Sequence, residues 1–472
     1  MNDYAPTTAF TAETAVASVD ASSTSLLTDM YELTMLQGAL ASGTATRRSV
    51  FELFGRRLPA SRRFGVVAGT GRLLDAIEAF TFTPSQIDFL HRTGVVNDET
   101  LDFLRDYRFT GTVRGYAEGE CYFAGSPLLT VEGTFAEACI LETLALSIYN
   151  YDCAVASAAS RMTIAAHGRP CVDFGARRAH EQAAVAAARA SVVGGFVGTS
   201  NLEAGLLYGI PTVGTSAHSF TLLHDSEEDA FAAQVASLGP STTILVDTYD
   251  IATGVERAVK AARAAGGELG AVRLDSGDLV AEAFKVRAQL DALGATSTKI
   301  TVTNDLDEHA IAALGAAPVD SYGVGTKLVT GSGRPTAALV YKLVEREGAN
   351  GTMEEVAKFS SGGKSTVGGR KWAGRTLTSE GTAAEELVVS SSSQDQGLAA
   401  LSEAGARPLQ VLLVDEGRII EEHRGKEALS AATERHRAAR AELPYDAWRL
   451  SDGESALPTR HVDLDGGSAT RR

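Results

Sequence analysis

The sequence predicts an α/β protein, in which an irregular parallel β/α barrel is combined with a mixed α+β domain built from N- and C-terminal segments. Three observations predict it. Between residues 171 and 328, seven short apolar segments end in glycines or reactive side chains: Val172-Asp173-Phe174-Gly175, Gly195-Phe196-Val197-Gly198, Thr212-Val213-Gly214-Thr215, Ile244-Leu245-Val246-Asp247, Val272-Arg273-Leu274-Asp275, Ile300-Thr301-Val302-Thr303 and Ser321-Tyr322-Gly323-Val324-Gly325. Ala-rich stretches with helical periodicity, such as 252–265 and 279–293, lie between them. Strand-like patterns flank this block, over 111–133 and again from 336. A run of β/α units favours a parallel sheet closed into a barrel, where residues just beyond each strand meet in one pocket.

Taken in order, residues 1–25 are rich in Ala, Thr and Ser, with no basic n-region and no apolar run, and are expected to form a mobile arm. Residues 26–150 supply the N-terminal part of the mixed domain: a helix over 33–40, a strand over 50–53, an Arg-rich loop over 56–63 and a helix over 71–80. Antiparallel strands follow across 111–133, punctuated by Gly115, Gly119, Gly125 and Gly133. The stretch 135–166 reads as one nearly unbroken helix, too long for an ordinary surface helix, and is expected to pack against a partner or a second domain. The barrel occupies 151–335. Residues 336–450 return to strands at 338–343, 387–389 and 411–414, which would rejoin the N-terminal sheet, and end in a helix over 427–442. Residues 451–472 read as a polar tail.

Composition narrows the function classes. A chain of 472 residues with 44% hydrophobic residues can bury a sizeable core. A net charge of -16, without a basic tail or a Lys/Arg stripe, argues against nucleic acid or an anionic membrane as partner. No window approaches a membrane span. Cys121, Cys139, Cys153 and Cys171 are too widely spaced for a zinc pair, and so few cysteines in a long chain point to a reducing cytoplasm.

Several apparent motifs carry little. Gly362-Gly363-Lys364-Ser365-Thr366 looks like half a P-loop, but Lys358 stands where the first glycine belongs, and the segment reads as a mobile basic loop. The run 246–254 faintly echoes a diphosphosugar loop without its acidic pair; a strand end with Asp247 capping the next helix is the better reading. Glu227-Glu228 and Glu354-Glu355 read as solvated faces.

The strand ends are more specific. In Asp275-Ser276-Gly277-Asp278 one carboxylate is explained by a helix cap, while two carboxylates with Arg273 beside them fit a site that grips ribose hydroxyls and an anion. Gly323-Val324-Gly325-Thr326 would let backbone N–H groups approach a phosphate. His218, in a Gly/Ser-rich segment just past a predicted strand, is read as functional.

Thr28-Asp29-Met30-Tyr31-Glu32-Leu33-Thr34-Met35, Asp173-Phe174-Gly175-Ala176-Arg177-Arg178, Gly198-Thr199-Ser200-Asn201, the segment 214–220, Leu245-Val246-Asp247-Thr248-Tyr249-Asp250, Arg273-Leu274-Asp275-Ser276-Gly277-Asp278 and Tyr322-Gly323-Val324-Gly325-Thr326 occur in one order. Together they resemble the nicotinate phosphoribosyltransferase family, from about residue 26 to about residue 375. The resemblance implies an irregular barrel with a mixed domain from both chain ends. It implies that nicotinate and phosphoribosyl diphosphate give nicotinate mononucleotide and diphosphate, the first step of NAD salvage from the acid. ATP hydrolysis would be coupled to this ligase-type reaction, and Mg2+ would be required.

The resemblance also implies roles. Phe174 would stack on the pyridine, and Arg177 would hold its carboxylate, with Arg178 as the alternative. Thr199 and Ser200 would line the substrate site. Relatives that use the amide carry Asp where this chain has Ser200, and a carboxylate there would repel the acid. Asp275 and Asp278, with Arg273, would orient the ribose and stabilise its oxocarbenium character. Magnesium would bridge diphosphate oxygens with few protein ligands. N–H groups around Asn304, Asp305, Gly323, Gly325 and Thr326 would hold the 5′-phosphate. His218, beside Ser219, would be phosphorylated by ATP, with His180 and His224 as fallbacks. Lys358, Ser360, Lys364 and Lys371 match a basic loop after the barrel, although Val367-Gly368-Gly369-Arg370 lacks the usual Pro. Tyr31 would reach the pyridine of a neighbouring protomer in a homodimer whose surface would include the 135–166 helix. Two other readings stay open: a nicotinamide or quinolinate phosphoribosyltransferase, and a non-catalytic phosphosugar-binding barrel.

Overall fold

The computed structural model describes residues 23–358 and 366–465. Most of the expected arm therefore lies outside the described residues. Its last residues are anchored: Ser23 Oγ donates to Thr81 O at 2.6 Å and Ser25 Oγ to Gln86 Oε1 at 3.0 Å.

The mixed domain begins with the helix Met30–Ala41 and the strand Arg48–Gly55. Short helices follow where capping residues start them: Thr83 and Gln86 form a capping box before Pro84–Thr93, and Asn97 caps Asp98–Arg105. The chain ends interleave in one antiparallel sheet of seven strands, ordered Met353–Glu355, Leu339–Glu347, Arg48–Gly55, Pro127–Thr134, Thr112–Tyr116, Gln410–Asp415 and Arg418–Ile419. Phe51 sits opposite both Leu343 and Val131, and Val113 opposite Val414, so the 338–343 and 411–414 segments do rejoin the N-terminal sheet.

Two expectations change here. The 387–389 segment joins a separate four-stranded sheet, in which Ala383–Ser390 pairs with its hairpin neighbour Lys371–Leu377 across a turn containing Gly381 at φ 79°. A local partner across a short turn wins over a distant one. Within the stretch read as a polar tail, Thr459–Asp463 adds to this sheet parallel to Ala383–Ser390.

The expected helix over 135–166 is two helices, Phe135–Cys139 and Glu142–Ala165. The carbonyls of Glu137 and Ala138 accept from the hydroxyls of Tyr107 and Tyr341, both at 2.9 Å. Glu32 accepts the Thr143 N–H at 2.9 Å, so side chains from elsewhere satisfy both sides of the break. The longer helix buries 16 of its 24 residues inside its own chain. It is therefore a core helix, and the expectation that it forms a pairing surface between subunits is corrected.

The parallel sheet forms an irregular half-barrel rather than a closed one. Six parallel strands run in the order Gly198–Thr199, Cys171–Asp173, Ser321–Val324, Lys299–Val302, Ala271–Leu274 and Thr243–Leu245, and a single bridge from Thr199 to Thr212 extends the open edge. Of the seven expected segments, 212–215 thus contributes a bridge rather than a strand. Val246, Val272, Ile300 and Val324 fill the interior together with Ala-rich helix faces. The helix Gly425–Ala441 crosses back so closely that a Cβ at Gly119, whose φ is 97°, would strike the Ala432 carbonyl. Glu227 departs from its expected solvated face: it is buried, with Arg257 Nη1 3.0 Å away. Among the described residues no helix is long and apolar enough to cross a membrane.

Candidate active site

A cavity of about 520 Å³ opens where the parallel strands end. Into it converge Phe174, Arg177 and Arg178 from one strand end, Ser200 from the next, and Arg273 with Asp275 from a third. Asn304, Asp305, Gly323, Gly325 and Thr326 line it from the two strand ends between those of Phe174 and Arg273. This convergence follows from parallel strands delivering their following loops to one face.

Three buried polar atoms at this end have no partner among the described residues: Arg273 Nε, Thr215 Oγ1 and Asp247 Oδ1. Burial pulls the Arg273 guanidinium below its ordinary range; Asp275 and Asp247 oppose this, and Arg177 adds a second positive charge nearby. Three guanidiniums facing one cavity, Arg178 being the third, fit an anionic ligand. Asp247 does not cap the following helix as expected. That cap is Asp250, while Asp247 Oδ2 accepts from the Asp275 N–H at 2.8 Å and the Ser276 hydroxyl at 2.7 Å. Thr303 donates its hydroxyl to Asp275, so this residue is held at its carboxylate from one neighbouring strand and at its N–H from the other.

Asp173 lies at the strand end that carries Phe174. Its buried carboxylate accepts from Thr199 Oγ1 at 2.7 Å and from the Gly175 N–H at 2.7 Å, and burial raises its pKa against those two bonds. Thr199 thus spends its hydroxyl on Asp173 and lies outside the cavity lining, whereas Ser200 lines it. A Cβ at Gly323 would collide with the Phe174 ring, so glycine there lets the ring lie against the strand end. Asn304 holds φ at 107°, a conformation that strains a non-glycine residue beside the cavity.

His218 opens the helix His218–Leu223 directly after the lining residue Ala217, and its Nδ1 lies 3.1 Å from Thr248 Oγ1. Ser219 is exposed on the same helix and does not line the cavity. Asp278 is also outside it: its Oδ1 accepts the Ala281 N–H at 3.2 Å as the cap of Leu279–Ala292. Tyr31 sits on the N-terminal helix, 45% exposed, and does not reach the cavity of its own chain. Lys371 is no part of an open basic loop; it is buried in a strand with Nζ 2.8 Å from Glu52 Oε2. Ser360 and Lys364 lie outside the described residues.

The roles of Asp173 and Asp247 went unread in the sequence. The available signal was position, since both are acids at the end of an apolar strand, as Asp275 is.

Residues 26–150 match the model of the nicotinate phosphoribosyltransferase N-terminal domain, and residues 170–360 that of the nicotinate phosphoribosyltransferase family. A nicotinate phosphoribosyltransferase of Mycobacterium tuberculosis is 51% identical over 445 residues, covering 93% of this chain and 95% of that protein. The Bacillus subtilis enzyme of the same name is 37% identical over 356 residues, covering 74% of this chain and 72% of its own. The crystal structure of human nicotinic acid phosphoribosyltransferase superposes with a TM-score of 0.77 at 24% identity, over 92% of this chain and 97% of that one, which shows the shared fold. With these matches added to a cavity lined by three guanidiniums, an aromatic ring and two glycine turns, the chain belongs to the nicotinate phosphoribosyltransferase family.

Proposed function

We propose that this nicotinate phosphoribosyltransferase couples transfer to ATP hydrolysis through phosphorylation of His218, as a cytoplasmic, ligase-type enzyme. The observation that carries the proposal is the imidazole next to the cavity wall, with Nδ1 as the nitrogen engaged by Thr248. Its Nε2 would attack the γ-phosphoryl group of ATP, the N–P bond forming as the bond to the β,γ-bridging oxygen breaks and ADP leaves. The four cysteines are all free and buried, in keeping with a reducing compartment.

In the transfer itself, Phe174 would stack on nicotinate, and Arg177 would hold its carboxylate, with Arg178 beside it. Asp275 would orient the ribose, since Thr303 and the neighbourhood of Asp247 fix its position. Arg273, short of a partner at Nε, would take an oxygen of the anionic substrate. The 5′-phosphate would lie between the turns at Asn304-Asp305 and Gly325-Thr326. Magnesium would neutralise the leaving diphosphate. Asp247 Oδ1, buried and unpartnered, and Asp275 fit a cation there, and among the described residues no group of three His, Cys, Asp or Glu side chains offers a fuller ligand set.

The active unit would be a homodimer. Leu27, Met30, Tyr31 and Met35 expose an apolar edge, and Leu202, Leu206, Leu222 and Leu223 expose another near the cavity mouth. Pairing these edges across a two-fold axis would cover both and bring Tyr31 of the partner subunit over the pyridine.

The test of coupling is nicotinate mononucleotide formation with and without ATP, together with labelling from γ-labelled ATP. His218→Ala should lose both the label and the ATP stimulation while retaining a slow ATP-independent transfer. Label that survives would move the nucleophile elsewhere. Mixing Tyr31→Ala with Asp275→Ala protein under subunit exchange should restore about half of the mixed dimers' sites; no recovery in verified heterodimers refutes the shared site.

A further inference from the structure

The helix Thr326–Val329, whose first residue lines the cavity, is held from outside. Four residues do not sustain a helix alone. The chain leaves it through three consecutive residues of positive φ: Gly331 at 58°, Ser332 at 53° and Gly333 at 80°. A serine in that region is strained, and its surroundings must offset the strain.

Three side chains from three other segments meet this exit. Arg62 Nη2 donates to Gly331 O at 2.7 Å, and the Tyr151 hydroxyl donates to Val329 O at 3.0 Å. Ser332 Oγ donates to Glu308 Oε2 at 2.7 Å. The other Glu308 oxygen takes Arg161 Nε at 3.0 Å, and both side chains of that pair are about 95% buried. Burial would raise the Glu308 carboxyl, but the Ser332 hydroxyl, a backbone N–H and Arg161 bring it below the usual range, so it stays ionised.

Glu308 is also the first residue of the helix Glu308–Ala313, three positions beyond Asp305. One carboxylate therefore belongs to the loop after one strand and grips the exit of the turn after the neighbouring strand. We infer that Glu308 is a positioning residue for phosphoribosyl diphosphate: through Ser332 it sets the spacing between the Asn304-Asp305 turn and the Gly325-Thr326 turn without touching substrate. The inference rests on the 5′-phosphate lying between those turns.

The experiment is steady-state kinetics with both substrates varied, plus inhibition by ribose 5-phosphate. Ser332→Gly removes the hydroxyl while glycine accepts the positive φ, so folding is kept. It should raise the KM for phosphoribosyl diphosphate and the Ki of ribose 5-phosphate about tenfold, with the nicotinate KM within about twofold and an unchanged melting temperature. Glu308→Gln keeps an acceptor for Ser332 but loses the charge facing Arg161, and should give a smaller rise in the same direction. A KM for phosphoribosyl diphosphate that stays at the parent value in Ser332→Gly, or KM values for both substrates that rise equally, overturns the inference. Gly325→Ala, whose Cβ meets nothing nearer than 3.6 Å in the fold, tests the underlying reading. If it leaves ribose 5-phosphate inhibition unchanged, the phosphate lies elsewhere and both fall. If it weakens inhibition while Ser332→Gly does not, the positioning role alone fails.

Discussion

Two clusters of arginines and acids, one in the mixed domain and one at the barrel mouth, use the same residue types to opposite ends. In the mixed domain Arg375 is fully buried with Glu386 at 3.0 Å and Glu120 at 3.5 Å, and Arg407 meets Glu120 at 2.6 Å and Glu442 at 2.8 Å. Tyr116 and Ser126 donate to the remaining demand of Glu386. Burial by itself would lower the Arg375 guanidinium, and Glu386 with Glu120 more than offsets it, so its pKa rises. At the barrel mouth burial lowers Arg273, and Asp275 and Asp247 do not make up the difference. Each cluster leaves a guanidinium Nε without a partner among the described residues, at Arg375 and Arg407 as at Arg273, so the difference lies in charge: a cluster saturated with ion pairs holds a fold together, and a guanidinium with none is open to a ligand.

The widest separation should come from removing one arginine of each kind. Arg375→Met leaves Glu386 buried without its charge partner, Glu120 keeping Arg407, and should cost about 3–5 kcal/mol of stability, read from urea unfolding. Arg273→Met should leave the unfolding curve near the parent while kcat/KM for phosphoribosyl diphosphate falls roughly 10²- to 10³-fold. If Arg273→Met unfolds as easily as Arg375→Met, the contrast between the clusters is broken.

His436 belongs to the saturated side. Nδ1 lies 3.1 Å from Gly119 O and Nε2 2.9 Å from Ser160 Oγ, and burial, with Arg440 nearby, lowers its pKa to about 3. The unfolded chain binds this proton from about pH 6.5 downward and the folded chain does not. The contribution is therefore complete above about pH 6.5 and is lost progressively as pH falls toward 3, amounting to roughly a few kcal/mol. In His436→Gln the slope of unfolding free energy against pH over this window should flatten; an unaltered slope would assign it to the carboxylates.

At the barrel mouth the effects should be on substrate. Arg177 is exposed in the single chain, so Arg177→Ala should raise the nicotinate KM by about 1.5–3 kcal/mol, or roughly 10- to 100-fold, with the phosphoribosyl diphosphate KM little changed. Equal changes for both substrates would take Arg177 away from the pyridine. The smallest effect sharpens the boundary of the site. Asp278→Ala removes a helix cap and should cost about 1 kcal/mol of stability with near-parent kinetics, unlike Asp275→Ala. A large fall in kcat for Asp278→Ala would return it to the reacting centre.

Much of the barrel was legible because its signals are local. Strand and helix periods lie within a dozen residues, and Asp275, Arg273, Phe174, Gly323 and Asn304 are adjacent in sequence to the strand ends that aim them. The sequence by itself therefore determined the β/α order, the return of the chain end to the N-terminal sheet and most of the cavity lining. Only the tertiary structure decided which charges are spent. Glu120, Arg375, Glu386, Arg407 and Glu442 come from four distant stretches, and nothing near Lys371 in sequence says that Glu52 will bury it. The break at Ile140-Leu141 depends on Tyr107, Tyr341 and Glu32, and the choice of Asp250 over Asp247 as a cap depends on the backbone of a neighbouring strand. Hydrogen bonds and ion pairs form by distance in space, and folding sets that distance through packing across the whole chain.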